Sequence, residues 1–218
     1  MNLQHAGIGM TSPRTRARMV ERLRAQGVKD EVVLAAMNTV PRHLFVDEAL
    51  AGRAYDDVSL PINYGQTISQ PYIVARMTEV LRNGKQLGKV LEVGTGCGYQ
   101  AAILAQVAQQ VYSVERIKPL HERARNLLRE LKIRNVILRH ADGTSGLNEG
   151  APFDGIIMAC AAPALSEALK GQLAVGGRMV LPVGTQEQYL YLVERTESGF
   201  KETRLEAVKF VPLLAGIV

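Results

Sequence analysis

At 218 residues, with 47% hydrophobic and 22% charged residues, the chain can bury a sizeable core, which excludes a disordered polymer. No run approaches the roughly 18 apolar residues of a membrane-crossing helix, and two cysteines, Cys97 and Cys160, make no disulfide framework. The 26 Lys+Arg against 21 Asp+Glu give +5, which leaves a nucleic-acid or anionic partner open until the charge is located.

Taken in chain order, MNLQHAGIGM has neither a basic n-region nor a long apolar stretch, so no secretory signal is read and a reducing cytoplasm is expected. Residues 1–10 fit no motif and read either as an alternative start, with Met10 the initiator, or as a disordered tail. Ser12-Pro13 opens a helix with an apolar stripe of Ala17, Met19, Val20 and Leu23, ended by Gly27. Asp30 caps a second, short helix closed by Pro41. Residues 52–68 show no clean period and many turn signals, and read as a long functional loop. Ser69 precedes Gln70-Pro71 and an apolar stripe of Ile73, Val74, Met77, Val80 and Leu81, which reads as a Ser-capped helix.

From Lys89 the pattern alternates. Strands are predicted at 89–93, 110–115, 135–140, 153–160 and 176–184, with helices at 99–108, 119–131 and 164–173, and β-prone segments to the end. That alternation predicts an α/β, doubly wound, mostly parallel sheet with right-handed crossovers. Residues 1–85 read as a helical extension packed on an α/β core of 86–218, in one domain. Met19, Met37 and Met77 read as core. Tyr55, Tyr64 and Tyr72 are candidates for a peptide groove. The histidines His5, His43, His121 and His140 have no ligand spacing, so no metal site is expected.

The chemistry concentrates at Glu92-Val-Gly94-Thr95-Gly96-Cys97-Gly98, between a strand and a helix. Glycines there let the backbone approach a ligand, and the helix N-terminus presents free N–H groups. Glu115 ends the next strand, where an acidic side chain takes ribose hydroxyls, and Asp142-Gly143 follows the third, beside an adenine edge. Each feature alone is weak; together they indicate a nucleoside cofactor. A dinucleotide fingerprint needs Gly one place later than Gly98, and no Gly-Lys-Ser/Thr cradles phosphate. A ligand without a pyrophosphate fits, namely S-adenosylmethionine.

At this point the sequence resembles the protein-L-isoaspartate O-methyltransferase family. The resemblance rests on VLEVGTGCGYQAAILA, VYSVER, FDGIIMACAAP and GGRMVLPVG, and more specifically on GQTISQP and FVPL, and spans about Pro41 to Leu213. It implies a Rossmann-like S-adenosylmethionine-dependent methyltransferase fold. It also implies methyl transfer to the free carboxylate of L-isoaspartyl, and D-aspartyl, residues of damaged proteins, which starts repair through a succinimide. It places the active-site residue at Ser69 and cofactor contacts at Thr67, Ile68, Ser69, Glu92, Gly94, Thr95, Gly96, Gly98, Glu115, Asp142 and Gly143. Substrate contacts fall at Gln66, Ser69, Val211 and Leu213, with VKFVPLL offering backbone bonds to an extended peptide. Cys97 and Ala141 depart from the common pattern, at Ser and Gly respectively.

A carboxylate acceptor is already ionised at neutral pH, its reference pKa being about 3.5–4, so the lack of a catalytic triad does not count against an enzyme. Ser69 reads most plainly as a helix cap, and its hydroxyl also suits holding an acceptor carboxylate. The alternatives are a nucleic-acid or small-molecule carboxyl methyltransferase on the same fold. ACAAPAL after the fourth strand lacks the Pro-Pro-aromatic motif of base methylation. Residues 1–24 carry +4 and residues 116–139 carry +6, whereas 25–92 total −1. The basic charge therefore reads as two solvated faces away from Ser69 and the 52–68 loop, on a monomer with no nucleic-acid or membrane partner.

Overall fold

The computed structural model describes residues 7–218. Residues 1–6, with His5, lie outside the described residues, and Gly9–Thr11 form a short 3-10 turn. Helix α1 (Pro13–Ala25) starts where Ser12 accepts the Thr15 N–H, and α2 (Glu31–Thr39) starts where the Asp30 carboxylate accepts the N–H groups of Val32 and Val33.

The 52–68 region is more ordered than its composition suggests. A 3-10 helix (Glu48–Arg53) leads into a hairpin of β1 (Leu60–Pro61) and β2 (Thr67–Ile68). Its turn is made by Asn63, Tyr64 and Gly65, all with positive φ. Two-residue strands leave no period to read.

Helix α3 (Pro71–Arg82) follows. Then come β3 (Leu87–Val93), α4 (Tyr99–Val107), β4 (Ala108–Glu115), α5 (Lys118–Glu130), β5 (Val136–His140) and β6 (Phe153–Met158). A short α6 (Glu167–Gly171), capped by Ser166, and strands β7 (Leu173–Val183), β8 (Gln188–Thr196) and β9 (Gly199–Val208) complete the chain. The sheet order is β5-β4-β3-β6-β7-β8-β9. The first five strands run parallel, and β8 and β9 are antiparallel to their neighbours. Strand order reverses at β3, so the crevice at its carboxyl end is the place for a ligand. Strands buried on both faces divide their side chains by period two. Leu91, Val93, Ile156, Met158, Met179 and Leu181 enter one apolar cluster; Val90, Ile157 and Val180 enter a second.

The reading of α1 as a solvated face away from the loop is corrected. Arg16 is buried while Ala17 is exposed, Arg22 donates to the Tyr55 carbonyl, and Gln26 donates to Asp57 at 2.8 Å. Helix α1 thus carries the segment leading to the hairpin. Behind it Arg42 is fully buried, donating to the Ala54 carbonyl at 2.7 Å with its guanidinium 4.8 Å from the centre of the Tyr99 ring. Met19, Met37 and Met77 are core residues.

Candidate functional site

The loop between β3 and α4 folds back on the end of β4: Gly94 and Thr95 both donate to the Val114 carbonyl. Gly98 has φ +90°, and a Cβ there would lie 3.2 Å from Cβ of Ala124 on α5. Glycine therefore admits both the left-handed turn and close packing of α5 against the start of α4. Glu115 is the tie across this loop. One carboxylate oxygen accepts the Gly96 N–H at 2.8 Å and the other accepts the Ile117 N–H at 2.9 Å. A carboxylate has about four acceptor positions, so capacity for two hydroxyls remains.

Above the loop lies a cavity that opens to solvent, walled by the glycine loop, the hairpin strand β2 and residues 211–214. Of the residues singled out in the sequence, Gln66, Thr67, Ile68, Ser69, Gly94, Thr95, Gly96, Glu115, Gly143, Val211 and Leu213 line it. Three do not. Gly98 is buried under α5. Asp142 is turned to the C-terminal segment, where Oδ2 accepts the Gly216 N–H at 2.6 Å and Oδ1 accepts both the N–H and the hydroxyl of Thr144. These donors, Gly216 first, hold its carboxyl below the usual range. Its neighbour Gly143 lines the cavity instead, and a Cβ there would stand 2.7 Å from Cγ1 of Val93.

Glu92, the third, is fully buried behind the wall. It shares a short hydrogen bond with Ser113, and the Ser113 hydroxyl lies 2.6 Å from that of Thr95, which faces the cavity. Burial pushes the Glu92 carboxyl up to about 8, with nearby Glu115 adding to the rise, so at neutral pH it is mostly a neutral acid. Glu92 thus reaches the site only through two hydroxyls.

Sequence reasoning missed Ser113 and the apolar wall of Ile117, Ala159, Cys160, Pro212 and Leu214. The position of Ile117, two residues after Glu115, was the one available signal. Burial raises the Cys97 and Cys160 thiols to about 11 and 12, which removes both as nucleophiles.

Ser69 is not the cap of α3. The cap position is Gln70, which makes no side-chain cap bond. The orphan N–H of Tyr72 is taken by the Asp57 carboxylate at 2.9 Å. Among the described residues the Ser69 hydroxyl has no hydrogen-bond partner, and it lines the cavity. Beside the cavity runs an outer groove between the hairpin, the start of α3 and residues 206–211. Thr67, Ser69, Ala159 and Val211 line both spaces. Of the three candidate tyrosines, only Tyr72 lines this groove; Tyr55 is buried with its hydroxyl 2.8 Å from Nδ1 of His43, and Tyr64 is exposed at the hairpin tip.

A model of the family described as protein-L-isoaspartate(D-aspartate) O-methyltransferase (PCMT) matches residues 14–217. The chain belongs to this family. The match extends past the Pro41–Leu213 span of the sequence motifs to include α1 and the C-terminal segment. Among curated relatives, the protein-L-isoaspartate O-methyltransferase of Nitrosomonas eutropha is 64% identical over 220 residues, covering 100% of this chain and 99% of its own. That of Methylobacillus flagellatus is 66% identical over 215 residues, covering 97% of this chain and 96% of its own. Among solved structures, the Plasmodium falciparum family member in complex with S-adenosyl-L-homocysteine aligns with TM-score 0.76 at 27% identity, over 91% of this chain and 98% of that one. A protein-L-isoaspartate O-methyltransferase aligns with TM-score 0.84, also at 27% identity, over 93% of this chain and 67% of that one. The family's Rossmann-like methyltransferase fold is the fold described above.

Proposed function

We propose that the chain transfers the methyl group of S-adenosylmethionine to the free carboxylate of L-isoaspartyl, and D-aspartyl, residues in damaged proteins, with Ser69 at the point of transfer. The observation that carries this reading is the wall shared by cavity and groove. Cofactor and acceptor must meet across Thr67 and Ser69, and the Ser69 hydroxyl is free of structural duty.

The residues present fit the cofactor. Glu115 retains acceptor capacity for ribose hydroxyls, Ile117 offers an apolar face, and the backbone of Gly143, which packs closely on Val93, lines the same cavity. The bound cofactor supplies an activated methyl on a sulfonium. The acceptor carboxylate is ionised at neutral pH and needs no base. What this chain supplies is position: Ser69 donates to the carboxylate and turns one of its oxygens toward the cavity, and the apolar wall excludes water. Alignment of this kind contributes roughly 7–11 kcal/mol in well-oriented reactions. The groove side favours a peptide acceptor, with the backbone of Lys209 and the N–H of Val211 offering bonds to an extended chain.

The reading includes a cytoplasmic monomer acting on protein rather than nucleic acid or membrane. Both cysteines are buried and unpaired, which suits a reducing compartment. No helix among the described residues is long and apolar enough to cross a membrane. The test offers labelled S-adenosylmethionine with an isoaspartyl peptide, its aspartyl twin and an RNA. Label on the isoaspartyl peptide alone is expected, and label on RNA would overturn the reading.

A further inference from the structure

We propose that Gln188 is a positioning residue for the substrate peptide: its side chain clamps the backbone of Phe210 and so holds residues 209–211 as a ready edge for an extended acceptor. The proposal deepens the functional reading above and rests on it.

The β8–β9 ladder ends at the pair Gln188 and Val208. Beyond that pair the backbone has no strand partner, yet Phe210 does not peel away. Oε1 of Gln188 accepts the Phe210 N–H at 2.6 Å, and Nε2 of Gln188 donates to the Phe210 carbonyl at 3.1 Å. A carboxamide presents one acceptor and one donor side by side, as a peptide unit does. Gln188 therefore adds one further bridge to the ladder with a side chain in place of backbone. On the other edge of the same segment, Ala161 donates to the Val211 carbonyl and accepts the Leu213 N–H, both at 2.8 Å.

The segment is thus fixed from both edges, and the remaining backbone groups follow. Both polar groups of Phe210 are spent on Gln188. Among the described residues, those of Lys209 and the N–H of Val211 have no backbone partner, and Lys209 and Val211 line the outer groove beside Ser69. A peptide laid in that groove finds an ordered row of donors and acceptors instead of a loop that must be ordered on binding, which would weaken it.

Three enzymes test this: the wild type, Gln188→Met, which keeps the length and removes both bonds, and Gln188→Glu, which keeps the acceptor and loses the donor. The readouts are KM for an isoaspartyl hexapeptide, the Kd of S-adenosylhomocysteine, and amide hydrogen exchange at Phe210 and Val211. Gln188→Met is expected to raise peptide KM about tenfold, leave the S-adenosylhomocysteine Kd within about twofold and speed exchange at Phe210, with Gln188→Glu between. Unchanged peptide KM, unchanged exchange, or a KM and Kd that rise together would overturn the clamp. A wild type inactive on the peptide would instead overturn the functional reading, and slow Phe210 exchange lost in Gln188→Met would still establish the clamp itself.

Discussion

The Asp57 carboxylate, not the Ser69 hydroxyl, accepts the first orphan N–H of helix α3, bonding Tyr72 at 2.9 Å from fifteen residues away. Asp57 is itself held at 2.8 Å by Gln26, the residue that closes α1. The division of labour is clean: the helix start is secured from the far side of the loop, and Ser69 is left facing the cavity.

Ser69→Ala should therefore separate activity from stability. A hydrogen bond to a charged acceptor is worth about 1.5–3 kcal/mol, so kcat/KM on an isoaspartyl peptide should fall by roughly 10- to 150-fold, with Tm shifted by no more than about 1 °C. Near wild-type turnover would remove Ser69 from the reaction.

Asp57→Ala should show the converse. Loss of a helix cap costs about 0.5–2 kcal/mol, read as a lowered denaturation midpoint. Asp57→Asn, which retains an acceptor oxygen, should recover most of it. If Asp57→Ala melts with the wild type, the cap is not what holds α3 against the hairpin.

Glu115→Gln places a carboxamide where both partners, Gly96 and Ile117, are N–H donors. One donor must then face an N–H group. The S-adenosylhomocysteine Kd by titration calorimetry should rise at least about tenfold, and the chain should lose about 1–3 kcal/mol of stability. An unchanged Kd would remove Glu115 from the cofactor site.

Glu92 sets a pH dependence of stability. Its carboxyl is raised by burial from 4.5 to about 8 in the folded chain. Between those values the folded state keeps a proton that the unfolded state has released, so the stability contributed by this carboxyl is fully present below about 4.5 and falls as pH rises toward 8. The slope is up to about 1.4 kcal/mol per pH unit. Glu92→Gln abolishes that titration, so its Tm should drop less than the wild type's between pH 5 and pH 8. Parallel curves would show Glu92 ionised in the fold.

Asp142 binds the C-terminal segment through Gly216, and Arg116 at the cavity rim donates to the Gly216 carbonyl at 2.9 Å. Asp142→Ala should free this segment and speed S-adenosylhomocysteine release about three- to tenfold in a rapid-dilution assay. The Asp142 carboxyl is lowered, so the tie is complete above its ordinary value of 3.8 and is lost as pH falls below it. An unchanged release rate would show that residues 214–218 do not bear on cofactor exchange.

The sequence by itself determined the strand–helix alternation, the glycine loop and the acid at Glu115, because these depend on neighbours: period, turn chemistry and a residue placed at a strand end. The identity of the family lay in contiguous stretches for the same reason. Only the tertiary structure decided which polar groups remain free. Ser69 reads locally as a cap, and loses that role because Asp57 arrives across the hairpin. Asp142 reads locally as a ligand for the adenine edge, and is engaged by Gly216, 74 residues on. Glu92 reads as part of the ligand loop, and is buried behind Ser113 and Thr95 on a neighbouring strand and loop. A hydrogen bond satisfies a donor or acceptor wherever its partner comes from in the chain, so the spare capacity that makes a site is a property of the packed molecule.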